Sequence, residues 1–174
     1  MLVAEKLLDH LEHSGVASCL IGGLALAAWG HARFTQDVDL LTLDDRILQP
    51  SFWQDSGLPE PTLRAGDATD PLGGVARIPL QPVHDLILGR GHAASHALDT
   101  AVAREGLPCR VASPLGLSLL KLEAGGPQDG FDILALLGLS SVLGFPDLTA
   151  EIQQQLPRLG PEARRFWEKL QSLR

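Results

Sequence analysis

The stretch IGGLALAAWGHARFTQDVDLLT, from Ile21 to Thr42, constrains this chain more than any other. Val16 to Ile21 is apolar and reads as a buried strand, Gly22-Gly23 breaks it, and Leu24 to Gly30 resumes with strong helix formers. Asp37 to Thr42 then alternates as a half-buried strand does, with Val38 and Leu40 on one face and Asp37, Asp39 and Leu41 on the other. A strand that bends through two glycines into a helix leaves backbone N–H groups pointing outward with no side chain in the way, an arrangement suited to phosphate. Two aspartates on one strand face bring like charges close together, and both stay ionised only beside a strong positive partner such as a divalent ion. The bland alternatives are a plain tight turn at the glycines and a solvated strand face at the acids.

Along the rest of the chain the order is strands early and helices late. Leu2 to His13 carries a helical apolar stripe stopped at Ser14-Gly15. Asp44 to Trp53 reads as a short helix, and Ser56 to Gly74 as loop with one edge strand. Gly74 to Leu80 and Val83 to Leu88 read as strands, His92 to Glu105 as a helix, and Cys109 to Ala112 as a short strand. Ser113-Pro114 opens a helix that runs to Ala124, Gly125-Gly126-Pro127 forces a turn, and Asp129 caps a helix over Phe131 to Leu139. Helices over Leu148 to Leu156 and Pro161 to Leu173 complete the pattern.

The Ile21–Thr42 run resembles the signature of the nucleotidyltransferase superfamily with the polymerase-beta-like fold. Its Gly22, Gly23, Arg33, Thr35, Asp37 and Asp39 are most similar to the AbiEii-type branch, whose members are often toxins of toxin–antitoxin pairs. A second stretch, VASPLGLSLLKLEAGGPQDGFDILALL, resembles the part of this branch that presents a lysine from one helix and aspartates opening the next. On that pattern Lys121 neutralises nucleotide phosphates, and Asp129 and Asp132 belong to the same site. The family's basic residue between lysine and aspartates is missing from GGPQDG. A third carboxylate usually comes from a neighbouring strand, and in VHDLIL only Asp85 stands in such a place.

The resemblance implies an α+β fold, a mixed sheet with helices packed on it, with a core over 1–112 and a helical part over 113–174 that completes the cleft. It implies transfer of a nucleoside monophosphate from an NTP to a hydroxyl of an RNA, tRNA included, or of a protein. Asp37, Asp39 and Asp85 would bind Mg²⁺ or Mn²⁺, and with Lys121 and Asp129 they form the expected catalytic set. Gly22, Gly23, Arg33, Thr35, Lys121 and Asp132 are the expected nucleotide contacts, and an antitoxin is the expected protein partner. The alternatives are a catalytically degenerate nucleotide- or partner-binding module and a small-molecule transferase of the aminoglycoside type.

Several of these residues also have purely structural readings. Arg33 can pair with a nearby aspartate, Thr35 can serve a turn, and Asp129 can cap its helix. Asp85 can close a strand and His84 can sit on the surface. Trp29, Trp53 and Trp167 suit the core, although Trp53 beside a loop-rich segment could stack a base.

Composition narrows the classes further. The formal charge of -7 opposes a sequence-blind nucleic-acid binder, although it leaves room for a local contact. Thr35 to Asp70 holds eight acids against two bases, whereas Arg158 to Arg174 holds five bases against two acids, as a metal site and a polyanion-facing tail would. The longest apolar stretches, Val16 to Leu26 and Ile133 to Leu139, fall short of the roughly 20 residues of a bilayer span. No membrane span is expected. The acid-bearing start lacks the basic region of a signal peptide, so a cytoplasmic location is expected. Cys19 and Cys109, in apolar strand-like surroundings, read as reduced thiols.

Overall fold

Asp37–Thr42, here β2, forms over the residues its alternation marks, and the sheet is laid out around it. The structure is a computed structural model that describes residues 4–67 and 72–173. Strand β1, Cys19–Ile21, pairs antiparallel with β2, and β5, Val83–Gly89, lies parallel to β2 on its other side. Beyond β5 follow β4, Leu72–Ile78, and the edge strand β3, Thr62–Ala65. Beyond β1 lie β7, Arg110–Val111, and β6, Val102–Ala103. Among the described residues these seven strands make one mixed sheet, in the order β3-β4-β5-β2-β1-β7-β6.

Among the described residues seven α-helices accompany the sheet: α1 (Glu5–His13), α2 (Gly22–Ala28), α3 (Gly91–Asp99), α4 (Pro114–Ala124), α5 (Pro127–Leu139), α6 (Leu148–Gln155) and α7 (Pro161–Gln171). The fold is α+β with a mixed sheet, as expected. No helix among the described residues is long and apolar enough to cross a membrane.

The strand pattern separates two faces. Val38, Leu40, Leu86, Ala76 and Ile78 are fully buried on one side. His84 is buried on that side too, paired in register with Val38. Its Nε2 accepts the Ala4 amide at 3.0 Å, which leaves Nδ1–H to donate to the Pro82 carbonyl at 2.8 Å. Burial pushes its pKa down, against the opposing pull of that carbonyl and of Asp85. The expectation of a surface histidine is therefore corrected: the ring is a neutral core member that ties the start of the chain to β5.

Some elements differ from their sequence pattern. Residues 44–53 form two 3₁₀ turns, Asp45–Leu48 and Pro50–Trp53, because Pro50 cannot donate to a continuing helix. Trp53 is buried there and donates Nε1–H to the Ile47 carbonyl at 2.8 Å, so it is a core anchor with no face for a base. The helix expected over 92–105 ends at Asp99, and the chain then makes the short β6–β7 hairpin. Residues 1–3, part of the helix expected over 2–13, lie outside the described residues.

Helix α4 sits at the centre of the C-terminal half, packed against α3, α5, α6 and α7. It is buried on nearly every side, as a helix that is apolar around most of its circumference must be. Ser113 caps it by accepting the Gly116 amide at 3.1 Å. Lys121 is the one charged residue among its buried positions, and this helix delivers it to the open face of the sheet.

Candidate active site

The alternation of β2 sets Asp37 and Asp39 on the face opposite the core, and the parallel ladder pairs Asp39 with Asp85. The antiparallel ladder on the other side pairs Asp39 with Ile21, directly before the diglycine. Three carboxylates thus share one patch of sheet. A cation that the sequence reading missed joins them. Arg77 on β4 is in register with Asp85. It donates Nε–H to Asp85 Oδ1 at 2.8 Å and Nη2–H to Asp85 Oδ2 at 2.6 Å, and Nη2 also reaches Asp37 Oδ2 at 3.2 Å. The signal available in sequence was the hairpin itself, whose turn at Gln81-Pro82 brings VARI back along VHDLIL.

Asp39 is treated differently. Its side chain makes no hydrogen bond or ion pair among the described residues. Burial pushes its carboxyl up to about 6, helped by the negative charges of Asp85 and Asp37 and opposed by Arg33 and Lys121. A carboxylate raised in this way and left without a donor suits a hard cation, which Mg²⁺-type ions take from one or two carboxylates plus substrate phosphates. Asp37 and Asp39 fit that demand. Asp85 does not fit as a third ligand while Arg77 holds both of its oxygens, and no group of three His, Cys, Asp or Glu side chains among the described residues is placed to hold an ion.

The diglycine lies against this patch. Gly22 has φ +66, a left-handed conformation that favours glycine, and a Cβ built there would sit 2.0 Å from Asp39 Oδ2. At Gly23 a Cβ would sit 2.8 Å from the Thr35 Cβ. Thr35 also donates its hydroxyl to the Asp37 carbonyl at 3.3 Å. Thr35 therefore packs the bend against β2, in keeping with the structural reading of this residue as one that serves a turn.

A second cluster gathers around Asp132 on α5, which is fully buried. Lys121 Nζ lies 2.6 Å from its Oδ2 and 2.9 Å from Asp129 Oδ1. Arg33 Nε lies 3.4 Å from the same Oδ2, and His31 Nε2 lies 3.3 Å from Oδ1. Gln128 donates Nε2–H to Oδ1 at 3.2 Å. Burial pushes the Asp132 carboxyl up, but Lys121, Gln128 and Arg33 outweigh it, and the net shift is downward. Asp132 therefore lies behind Lys121 and holds it in place; it does not line the pocket. Asp129 has two duties, since its Oδ2 also accepts the Gly126 amide at 3.0 Å and so closes the first turn of α5.

The two clusters meet at a pocket of ≈ 550 Å³ between the sheet and α4. Its polar lining is Asp39, Arg90, Lys121, Glu123 and Asp129, with Gly22 beside them, and Leu41, Ile87, Leu117 and Leu120 are among its apolar lining. A mostly apolar cavity of this size with a few convergent polar groups is the usual form of a small-ligand site. Arg33, paired with Asp132, and Thr35 and Asp37 do not line it.

Two solved structures share this architecture over most of their length. The solution structure of the antibiotic-resistance factor ANT(2'')-Ia aligns with TM-score 0.54 at 16% identity, over 88% of this chain and 89% of that one. The crystal structure of ANT(2'')-Ia in complex with adenylyl-2''-tobramycin aligns with TM-score 0.57 at 15% identity, over 88% and 94%. The fold is nucleotidyltransferase-like. An antigenic nucleotidyltransferase-like protein from Paracoccidioides brasiliensis aligns with TM-score 0.45 at 16% identity, over 91% and 89%. No protein-family model matches the sequence, and no curated protein matches it.

Proposed function

We propose that the chain is a metal-dependent nucleotidyltransferase that moves a nucleoside monophosphate from an NTP to an acceptor hydroxyl. The observation that carries this reading is the contact between the Gly22 bend and Asp39. Only a glycine at position 22 leaves room for the Asp39 carboxylate, so backbone amides suited to phosphate and a carboxylate suited to a cation adjoin each other in the lining of one pocket. Lys121 stands in the same lining as a point charge for the triphosphate, oriented by Asp129 and Asp132.

Nucleotidyl transfer asks a protein chiefly to position the reactants and neutralise charge. Asp37 and Asp39 would hold Mg²⁺ or Mn²⁺, which when bound neutralises the triphosphate and makes the acceptor hydroxyl easier to deprotonate. The amides of Gly22 and Gly23 would donate to phosphate oxygens. The apolar part of the lining would exclude water from the reacting end.

The motif at Gly22, Gly23, Arg33, Thr35, Asp37 and Asp39 favours an RNA acceptor, tRNA included, or a protein acceptor, and with it the AbiEii-type branch and a role as the toxin of a toxin–antitoxin pair. The fold shared with ANT(2'')-Ia, solved with an adenylylated tobramycin, favours a small-molecule acceptor as the second reading. One assay separates them. Each labelled NTP is incubated with Mg²⁺ and, in turn, total tRNA, a protein extract or tobramycin, with Asp39→Asn alongside. Label moving into one acceptor with the wild type and lost in the variant establishes transfer and names the acceptor class. Binding of NTP with no label in any acceptor would point to the degenerate module, which the Arg77 clamp on Asp37 and Asp85 favours.

A further inference from the structure

The carboxylate patch contains a cation of its own. Arg77 forks onto both oxygens of Asp85 and bridges with the same Nη2 to Asp37, so its guanidinium fills the space between the two carboxylates. Its charge is permanent, and its planar fork matches a carboxylate in a way that an ammonium cannot. Asp85 is only 13% exposed, so its charge needs a partner, and Arg77 supplies it from the neighbouring strand through direct register. Asp39, in the pocket lining, meets no side-chain donor among the described residues, and Asp37 gives Arg77 only its Oδ2. The patch is thus divided into two parts, an arginine–carboxylate pair and an open pair of aspartates.

We infer that Arg77 is a positioning residue that takes the place of a second metal ion. The site accepts one divalent cation per bound nucleotide, through Asp37 and Asp39, while Asp85 serves as the counterion of Arg77 and ligates nothing. This inference rests on the proposed function and fixes the ion count of that same site.

The test counts Mn²⁺ by electron paramagnetic resonance and calorimetry in the presence of a non-hydrolysable NTP analogue. The wild type is expected to bind one Mn²⁺ per chain, and Asp85→Asn to bind it within about twofold of the wild-type affinity. Arg77→Met frees Asp85 and is expected to bind a second Mn²⁺, with a thermal midpoint that falls without metal and recovers as Mn²⁺ is added. Arg77→Lys keeps the charge and is expected to stay at one ion, so the inference remains testable if the methionine variant does not fold. Two Mn²⁺ on the wild type, or a tenfold or greater loss of affinity in Asp85→Asn, overturns the assignment of Arg77 alone. Absence of Mn²⁺–analogue binding by the wild type overturns the nucleotidyltransferase reading itself.

Discussion

Asp39 lines the pocket, Asp132 stands behind the Lys121 that lines it, and the two carboxylates have opposite fates. Asp132 is fully buried, yet its carboxyl titrates low because Lys121, Gln128 and Arg33 converge on it. Asp39 keeps some contact with solvent and meets no side-chain donor among the described residues, and its carboxyl rises to about 6. Burial pushes both carboxyls up. Partners decide, and the difference separates a carboxylate that holds the fold from one available to a ligand.

The largest effect should come from breaking the satisfied side. Asp132→Ala leaves Lys121 in a nearly buried position with only Asp129, and deprives Arg33 of its carboxylate. Removing one member of a buried charge cluster typically costs about 3–5 kcal/mol. Urea denaturation should therefore show a lower midpoint at unchanged slope. A loss under about 1 kcal/mol would mean that the cluster behaves like a surface ion pair and that the contrast with Asp39 is false. Lys121→Met should be milder for stability, because Arg33, His31 and Gln128 still face Asp132. It should still weaken binding of an NTP analogue in a direct titration.

How far this contrast could be read from sequence depends on how local each signal is. Asp37–Thr42 is legible because alternation within six residues needs no partner strand, and α4 because Ser113-Pro114 starts it and Gly125 ends it. The convergence of Lys121 with Asp129 and Asp132 was legible through resemblance and a single turn of chain. Arg77 was not, since its role exists only through the register that sets it opposite Asp85. Nor was the pairing of Arg33 with Asp132, which joins the loop before β2 to α5. The β6 arm of the β6–β7 hairpin and the buried His84 were hidden for a related reason, whereas β7 falls within the strand read over Cys109 to Ala112. Two-residue strands carry no periodicity, and one buried ring nitrogen is satisfied by an amide from the other end of the core.

The diglycine offers a contrast of intermediate size. Gly22 and Gly15 share a left-handed backbone, at φ +66 and φ +67. A Cβ at Gly15 would meet nothing within 4 Å, whereas one at Gly22 would lie 2.0 Å from the Asp39 carboxylate. Gly15→Ala should thus cost only the conformational strain, about 1 kcal/mol. Gly22→Ala should cost about 1–2 kcal/mol more, as Asp39 is pushed aside. It should also abolish transfer, which Gly15→Ala leaves intact. Equal losses of stability in thermal melts of the two variants would show that Asp39 is free to move away, and the close approach in the pocket lining would lose its meaning.

The smallest effect is a difference in sign with pH, measured with chelator present. Asp39 has a folded value of about 6, above its ordinary 3.8. Its stabilising contribution is complete below the unfolded value and is lost as pH rises through the folded one, because in that window the native state holds a proton that the unfolded chain has released. Asp39→Asn should therefore gain stability over the wild type between about pH 4 and pH 6, by on the order of 1–2 kcal/mol at neutral pH after allowance for screening. Asp132 works in reverse: its lowered carboxyl stabilises above the unfolded value, and the benefit is lost as pH falls through the lower folded one. Asp132→Asn should accordingly be most destabilising at neutral pH and approach the wild type in acid. If the two difference curves slope the same way, the charge environments assigned to the two carboxylates are wrong, and the division of this pocket into a structural side and an open side fails with them.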